Sequence, residues 1–145
     1  MTPAFSKAVD PIFLHMVALL DRIEKVEPLN AQEVHLAILK LIETAEDSLA
    51  SQRRAEWELA KYALVAWIDE LLVEISWTGQ EWWGENVLEQ HLFDTREAYE
   101  RFFSAATEAS QMTEKDAFEV FYVCVILGFR GLGQTLRHGP YQTKP

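Results

Sequence analysis

The sequence predicts an all-α fold, a single domain of about six to seven helices. Apolar residues recur along it at intervals of three and four residues, and residues that favour helix starts precede several of these runs. No alternating apolar and polar run with turn signals competes as a strand. With 145 residues, 49% of them hydrophobic, the chain can bury one substantial core but hardly two.

The first helix is expected to begin at Asp10 and Pro11, because aspartate favours the cap position and proline the first turn. Pro28 is expected to end it. Residues 1–9, like residues 138–145 at the other end, are expected to be frayed. An apolar stripe at helical spacing defines the buried face: Ile12, Met16, Leu19, Leu20 and Ile23.

The second and third helices follow. Asn30 and Glu33 have the spacing of a capping box, and the helix they open has an apolar face. Residues 51–54 (SQRR) are either a short link or a continuation into the third helix, which covers residues 55–75. The predicted face of the second helix consists of Val34, Ile38, Leu41, Ile42 and Leu49.

The middle of the chain alternates loop and helix. Residues 76–87 (SWTGQEWWGENV) are expected to be an ordered loop, and residues 87–93 (VLEQHLF) a short helix. Asp94 and Glu97 suggest a further capping box, whose helix buries Leu92, Phe102 and Phe103.

The last helix is predicted to start with Thr113 as its cap and Asp116 in its first turn. Residues 128–133 (GFRGLG) supply glycine for a helix stop. The same six residues lack the Gly-Lys-Ser/Thr of a P-loop, and the strands of an RNA-binding KH domain are missing around them.

Charge restricts the partners. The formal net charge is −10, from 23 acidic and 13 basic residues, which disfavours nucleic acid and anionic lipid and favours a basic protein surface. Cys124, the one cysteine, cannot form an internal disulfide, so a reducing cytoplasm fits best. The longest apolar window around it is too short to span a bilayer, and the N-terminus does not resemble a signal peptide.

Asp69 and Glu70 are the most informative pair, since they interrupt the most apolar helix. Neighbours on a helix point about 100° apart, so the two carboxylates cannot form one site. Glu70 and Glu74 are expected to form a solvated acidic stripe below Trp67. Asp69 shares the face of Tyr62, so it lies either at a groove edge or in a hydrogen bond within the bundle.

Trp77, Trp82 and Trp83 form a ligand cage or a partner surface, or, as the favoured interpretation, most of them fasten their loop to the bundle. Arg130 is a candidate partner for Asp69 or Glu70. No metal or cofactor is expected, because the four histidines do not form an HExxH or Glu-x-x-His pattern. No nucleophile motif is present either.

Residues 61–131 resemble the DotU/TssL family, components of bacterial type VI secretion systems with relatives in type IVB systems. The resemblance is carried by KYALVAWIDELLVEISW, EWW, LEQHLFDTREAYERFF and EVFYVCVILGFRG, in this order. It departs from the family pattern where Leu132 and Gly133 follow GFRG, and where Ala98-Tyr99-Glu100 precedes the Phe-Phe pair.

The resemblance implies a cytoplasmic helical domain of two small three-helix bundles packed together, on the cytoplasmic face of the bacterial inner membrane. It implies no enzymatic activity. The implied partners are an inner-membrane protein of the IcmF/TssM type and a baseplate component such as TssK. In the family a C-terminal transmembrane helix anchors the domain, and the printed sequence reaches Pro145 without one.

The first hypothesis is therefore a non-catalytic scaffold with an acidic, aromatic-edged groove, where charge reversal of Asp69 would weaken binding and leave the fold intact. The second is a small helical enzyme or ligand-binding bundle in which Asp69 and Arg130 share a pocket. The third is a homodimer formed through the tryptophan loop. The residues predicted for the groove are Tyr62, Asp69, Glu70, Glu74, Trp77, Trp82, Trp83 and Arg130.

Overall fold

A computed structural model of the chain describes residues 1–132. Over these residues the prediction of an all-α fold is confirmed, with seven α-helices and one turn of 3₁₀ helix. The predicted fraying of residues 138–145 concerns a part of the chain outside the described residues. In chain order the helices are α1 (Pro3–Glu24), α2 (Ala31–Ser48), a 3₁₀ turn (Ser51–Arg53), α3 (Arg54–Glu74), α4 (Gln80–Glu85), α5 (Leu88–Phe93), α6 (Ala98–Ser110) and α7 (Asp116–Ile126).

α1, α3 and α7 run side by side in the same direction. At one end, Arg53 binds Asp116 at 2.6 Å, and Thr2 donates its backbone N–H and hydroxyl to the same carboxylate. At the other end, the ring of Phe13 packs on Trp67, whose indole N–H donates to the carbonyl of Leu127. The contacts at the two ends are separated by similar lengths of each helix. The three helices are therefore parallel, with their starts at the same end of the bundle.

α3 is the central element of the core, and its residues from Tyr62 to Asp69 are all buried. α6 and α7 pack against α3 and against each other. α1 and α2 pack on each other and reach α3 through side chains such as Phe13 and Glu46. α2 runs antiparallel to α3. His35 near the start of α2 lies against Trp83 of α4, which follows the end of α3. Glu46 near the end of α2 accepts from the indole N–H of Trp57, near the start of α3.

The predicted start of the first helix at Asp10 is wrong. α1 begins at Pro3, and Pro11 lies inside it. Residues 3–9 are not frayed, because Phe5 and Val9 are fully buried and the ring of Phe5 packs on Trp57. Pro3 occupies the first turn that sequence reasoning gave to Pro11.

The later helix starts also differ in part. Asn30 caps α2 as predicted, with its side chain accepting from the N–H of Glu33. Asp94, however, adopts a left-handed conformation (φ 57°) at the end of α5, so it does not cap α6. Asp116 lies in the first turn of α7, as predicted, but the N-cap position is Lys115 and not Thr113.

The segments between these helices follow the prediction in outline. Residues 51–54 continue almost directly into α3, and α7 stops before Gly128, whose φ of 116° suits only glycine. The loop predicted over residues 76–87 contains the short helix α4. Phe103, predicted to be buried, is half exposed.

One helix among the described residues, α1, is long and apolar enough to cross a bilayer by length and composition. Seven of its residues are buried against the bundle, from Phe5 to Ile23. The core helix of a globular domain and an N-terminal signal sequence both meet these criteria, so length and composition alone do not assign α1 to a membrane.

Candidate partner-binding site

Asp69 is enclosed by hydrogen-bond donors from the segment that follows α3. Its Oδ1 accepts the indole N–H of Trp83 at 2.9 Å and the backbone N–H of Leu88 at 2.8 Å. Its Oδ2 accepts the backbone N–H of Glu89 at 2.9 Å. Leu88 and Glu89 open α5, and Val87 at the cap position has no side-chain acceptor. Asp69 therefore caps α5 from another helix.

Burial raises the pKa of Asp69 from 3.8 to about 7, although the three donors oppose part of the rise. Nearby Glu89 adds a smaller repulsive contribution in the same direction. A carboxyl group whose two oxygens accept from three internal donors is suited to hold α3, α4 and α5 together.

A second buried carboxylate, Glu89, extends this network. Its Oε2 accepts the hydroxyl of Tyr62 at 3.0 Å, the hydroxyl of Thr95 at 2.7 Å and the backbone N–H of Glu97 at 2.9 Å. The guanidinium of Arg101 lies over the ring of Tyr62, 4.6 Å from its centre. Tyr62 and Glu89 are thus internal connections between α3, α5 and α6.

Glu70 holds the backbone that follows α7. Its Oε1 accepts the N–H of Arg130 at 2.7 Å, and its Oε2 accepts the N–H of Leu132 at 2.6 Å. Arg130 is exposed, and the link to Glu70 runs through its backbone. Arg130 is therefore a carboxylate neighbour as predicted, but the guanidinium is not the group that binds.

The tryptophan segment packs mainly onto the bundle, which supports the favoured reading of that cluster. Trp83 is fully buried, while Trp77 and Trp82 are half-buried. The indole N–H of Trp77 donates to the carbonyl of Leu72 at 2.8 Å. His35 lies against Trp82 and Trp83, with ring centres 5.3 and 5.1 Å apart.

The exposed carboxylates of this region lie at the end of α3 and on α4. Glu74 is the last residue of α3, and Glu81 and Glu85 lie one turn apart on α4, all three of them exposed. Sequence reasoning missed Glu81 and Glu85. The signal was available, since residues 62–95 contain no lysine or arginine.

The structure divides the eight residues predicted for the groove. Tyr62, Asp69 and Trp83 are buried, so they do not lie on a surface. Glu70 is engaged by the segment after α7, which corrects the expectation of a solvated Glu70–Glu74 stripe. The remaining members reach solvent at least in part: Glu74, Trp77, Trp82 and Arg130.

Within residues 1–132, the structure does not bring Asp69 and Arg130 together: Asp69 is buried, whereas Arg130 is exposed and its backbone N–H donates to Glu70. A cleft of about 250 Å³ lies between α1 and α2. That cleft is lined by residues such as His15, Arg22 and Leu29. No group of three or more metal-ligating side chains occurs in residues 1–132.

Comparison with known proteins extends these observations. The family model described as "Type VI secretion system protein DotU" matches residues 4–143. Among solved structures, the cytoplasmic domain of TssL from Acinetobacter baumannii is similar, with a TM-score of 0.70 and 26% sequence identity. The match covers 94% of this chain and 88% of that chain. A search of curated proteins finds no match.

Proposed function

The chain belongs to the DotU family of type VI secretion system proteins, and from this premise we propose that it is a non-catalytic scaffold of the secretion membrane complex. We place it on the cytoplasmic face of the inner membrane, by analogy with the cytoplasmic TssL domain that it resembles. The IcmF/TssM-type inner-membrane protein and a baseplate component such as TssK are its proposed partners.

The observation that carries the proposal is the acidic surface at the end of α3 and on α4. It consists of exposed Glu74, Glu81 and Glu85 beside the half-buried rings of Trp77 and Trp82. Carboxylates would steer a basic partner segment, and the indole edges would supply apolar contact area. Recognition of this kind needs no reacting group.

The position of Asp69 supports a scaffold over an enzyme. An acid–base residue must reach a substrate, whereas each acceptor contact described for Asp69 is made with a donor of this chain. Its contribution to binding would be indirect. It would hold α4 and α5 in place so that Glu81 and Glu85 are presented from a rigid support.

The test is binding of the cytoplasmic part of the IcmF/TssM-type partner to Glu81→Lys/Glu85→Lys. We expect its affinity to fall at least tenfold. The matched control is Glu43→Lys/Asp47→Lys, which reverses two exposed carboxylates at the same spacing on α2 and changes the net charge equally. Affinity of the control should change less than threefold.

Two outcomes would overturn the assignment of this surface. Equal weakening by both double variants would show that net charge alone drives association. Unchanged affinity in both would place the contact elsewhere. Binding should be measured at two salt concentrations, because steering by exposed charges weakens as salt is added.

A further inference from the structure

α7 is apolar on two sides, and the bundle covers one of them. Its inward residues Ala117, Val120, Phe121 and Cys124 are buried. Its outward residues follow the i, i+4, i+7, i+8 spacing of one helix face, beginning at Phe118. A helix that is apolar all round is normally buried all round, so the outward face of α7 lacks a cover among residues 1–132.

α6 widens this face. The ring of Phe102 packs on Phe121 of α7 at 4.9 Å, and Phe103 beside it remains 50% exposed. Single exposed apolar residues are ordinary, but adjacent ones on two packed helices mark an interaction surface. We call this set the α7 face; its members, 38–64% exposed, are Phe103, Phe118, Tyr122, Val125, Ile126 and Leu127.

The charges near the α7 face and on the chain as a whole indicate which kind of partner this face would bind. Glu114 before the helix is exposed, and Glu119 on α7 is half exposed, with its carboxylate 3.2 Å from the N-terminal ammonium of Met1. Lys115 between them already donates its ammonium to the carbonyls of Ser110 and Met112. The chain as a whole carries a net charge of −10, which opposes close approach of a second copy and of an anionic bilayer.

We propose that the α7 face docks an amphipathic helix of a partner protein, with apolar residues toward Tyr122 and Ile126 and basic residues toward Glu114 and Glu119. An apolar stripe about two turns long is the receptor geometry for helix recognition, in which anchors spaced at i, i+4 and i+7 supply the binding energy. This face is separate from the acidic surface on α3 and α4, and the proposal does not rest on it.

The experiment uses the full chain and two fluorescein-labelled synthetic peptides of about four helical turns. Both carry leucine on one face; the other face is lysine in the basic peptide and glutamate in the acidic one. Fluorescence anisotropy gives the affinities. The basic peptide should bind wild-type protein at least tenfold more tightly than the acidic peptide.

Tyr122→Gln/Ile126→Gln should weaken the basic peptide at least tenfold. Both residues are more than 60% exposed, so the double variant should still fold. Circular dichroism checks that its helix content is unchanged. Leu36→Gln, on the exposed side of α2, is the control and should change the affinity less than twofold.

Four results would overturn the proposal: failure of the basic peptide to bind, equal binding of both peptides, equal effects of the variants, or a different occupant. A second copy is the occupant if sedimentation shows a wild-type dimer that Tyr122→Gln/Ile126→Gln dissolves. A bilayer is the occupant if wild-type protein co-sediments with phosphatidylcholine vesicles and that variant does not.

Discussion

Asp69 shows how one side chain can connect elements that are distant in sequence. It accepts from Trp83, Leu88 and Glu89, residues 14 to 20 positions further along the chain. Buried donors without acceptors cost about 1–3 kcal/mol each, so the carboxyl group stabilises the tryptophan segment and α5 together. Charge reversal at Asp69 is therefore expected to destabilise the fold and not to leave it intact.

The protonation of Asp69 makes stability depend on pH. Burial raises its pKa from 3.8 to about 7 in the folded protein, so between these values the folded state holds a proton that the unfolded chain releases. Its contribution is fully present below about pH 4 and is lost as pH rises through about 7.

The measurement compares urea denaturation of wild type and Asp69→Asn from pH 4 to pH 7. The stability of wild type relative to the variant should decrease as pH rises. Glu74→Gln, at an exposed carboxylate, is the control and should leave the pH profile unchanged. A relative stability that increases with pH would show that the three donors lower the pKa of Asp69.

At the scale of elements, Glu70 links α3 to the segment after α7. Glu70→Ala should speed hydrogen exchange at the amides of Arg130 and Leu132 at least tenfold, because both lose their acceptor. Glu74→Ala, one turn along α3 and exposed, is the matched control. Equal protection in both variants would show that other contacts hold this segment.

The connection from α3 to α4 depends on a close approach at Gly79. A Cβ at this position would collide with the ring of Trp77 and lie 2.7 Å from the Cβ of Ala31. Gly79→Ala should lower the free energy of unfolding by about 1–3 kcal/mol, the usual cost of overpacking.

Gly84 on α4 is the control for this prediction, since a Cβ there would meet no atom within 4 Å. Gly84→Ala should be neutral or stabilise the protein by up to about 1 kcal/mol, because alanine favours the helix. Thermal or urea denaturation measures the stability of both variants. If Gly79→Ala is as stable as Gly84→Ala, the ring of Trp77 can move aside.

At the scale of the whole molecule, Arg53 ties the starts of three helices together. Its guanidinium binds Glu56 and Asp116 at 2.6 Å each, and Asp116 also accepts from Thr2. Both carboxylates are nearly buried, with side chains 8% and 5% exposed. Sequence reasoning assigned Arg53 to a polar link, because no local pattern indicates that it binds Asp116, which lies 63 positions away.

Arg53→Met should destabilise the protein by about 2–4 kcal/mol, because it leaves two nearly buried carboxylates without their cation. Arg22→Met is the control; its ion pair with Glu27 is exposed, and its loss should cost less than about 1 kcal/mol. Urea denaturation at pH 7 measures both. Similar losses would mean that solvent replaces Arg53 at this junction.

Local patterns in the sequence were sufficient for the all-α class and most of the helices. The apolar spacing of α1 to α3 and the cap at Asn30 act within a few residues, so they are visible in one dimension. The predicted helix starts were wrong where contacts with residues distant in the sequence determine the local structure. Asp94 resembled a cap, and residues 1–9 looked frayed because their contacts with Trp57 and Asp116 are long-range.

The fold class, the acidic character and the resemblance to a family all follow from the order of residues along the chain. Which carboxylates are surface groups and which are internal depends on how the helices pack. Asp69 and Glu70 are adjacent in the chain, yet one caps α5 and the other holds the segment after α7. Burial and hydrogen-bond donors come from elements that pack around α3, whereas helical periodicity specifies the direction of a side chain but not what it meets there.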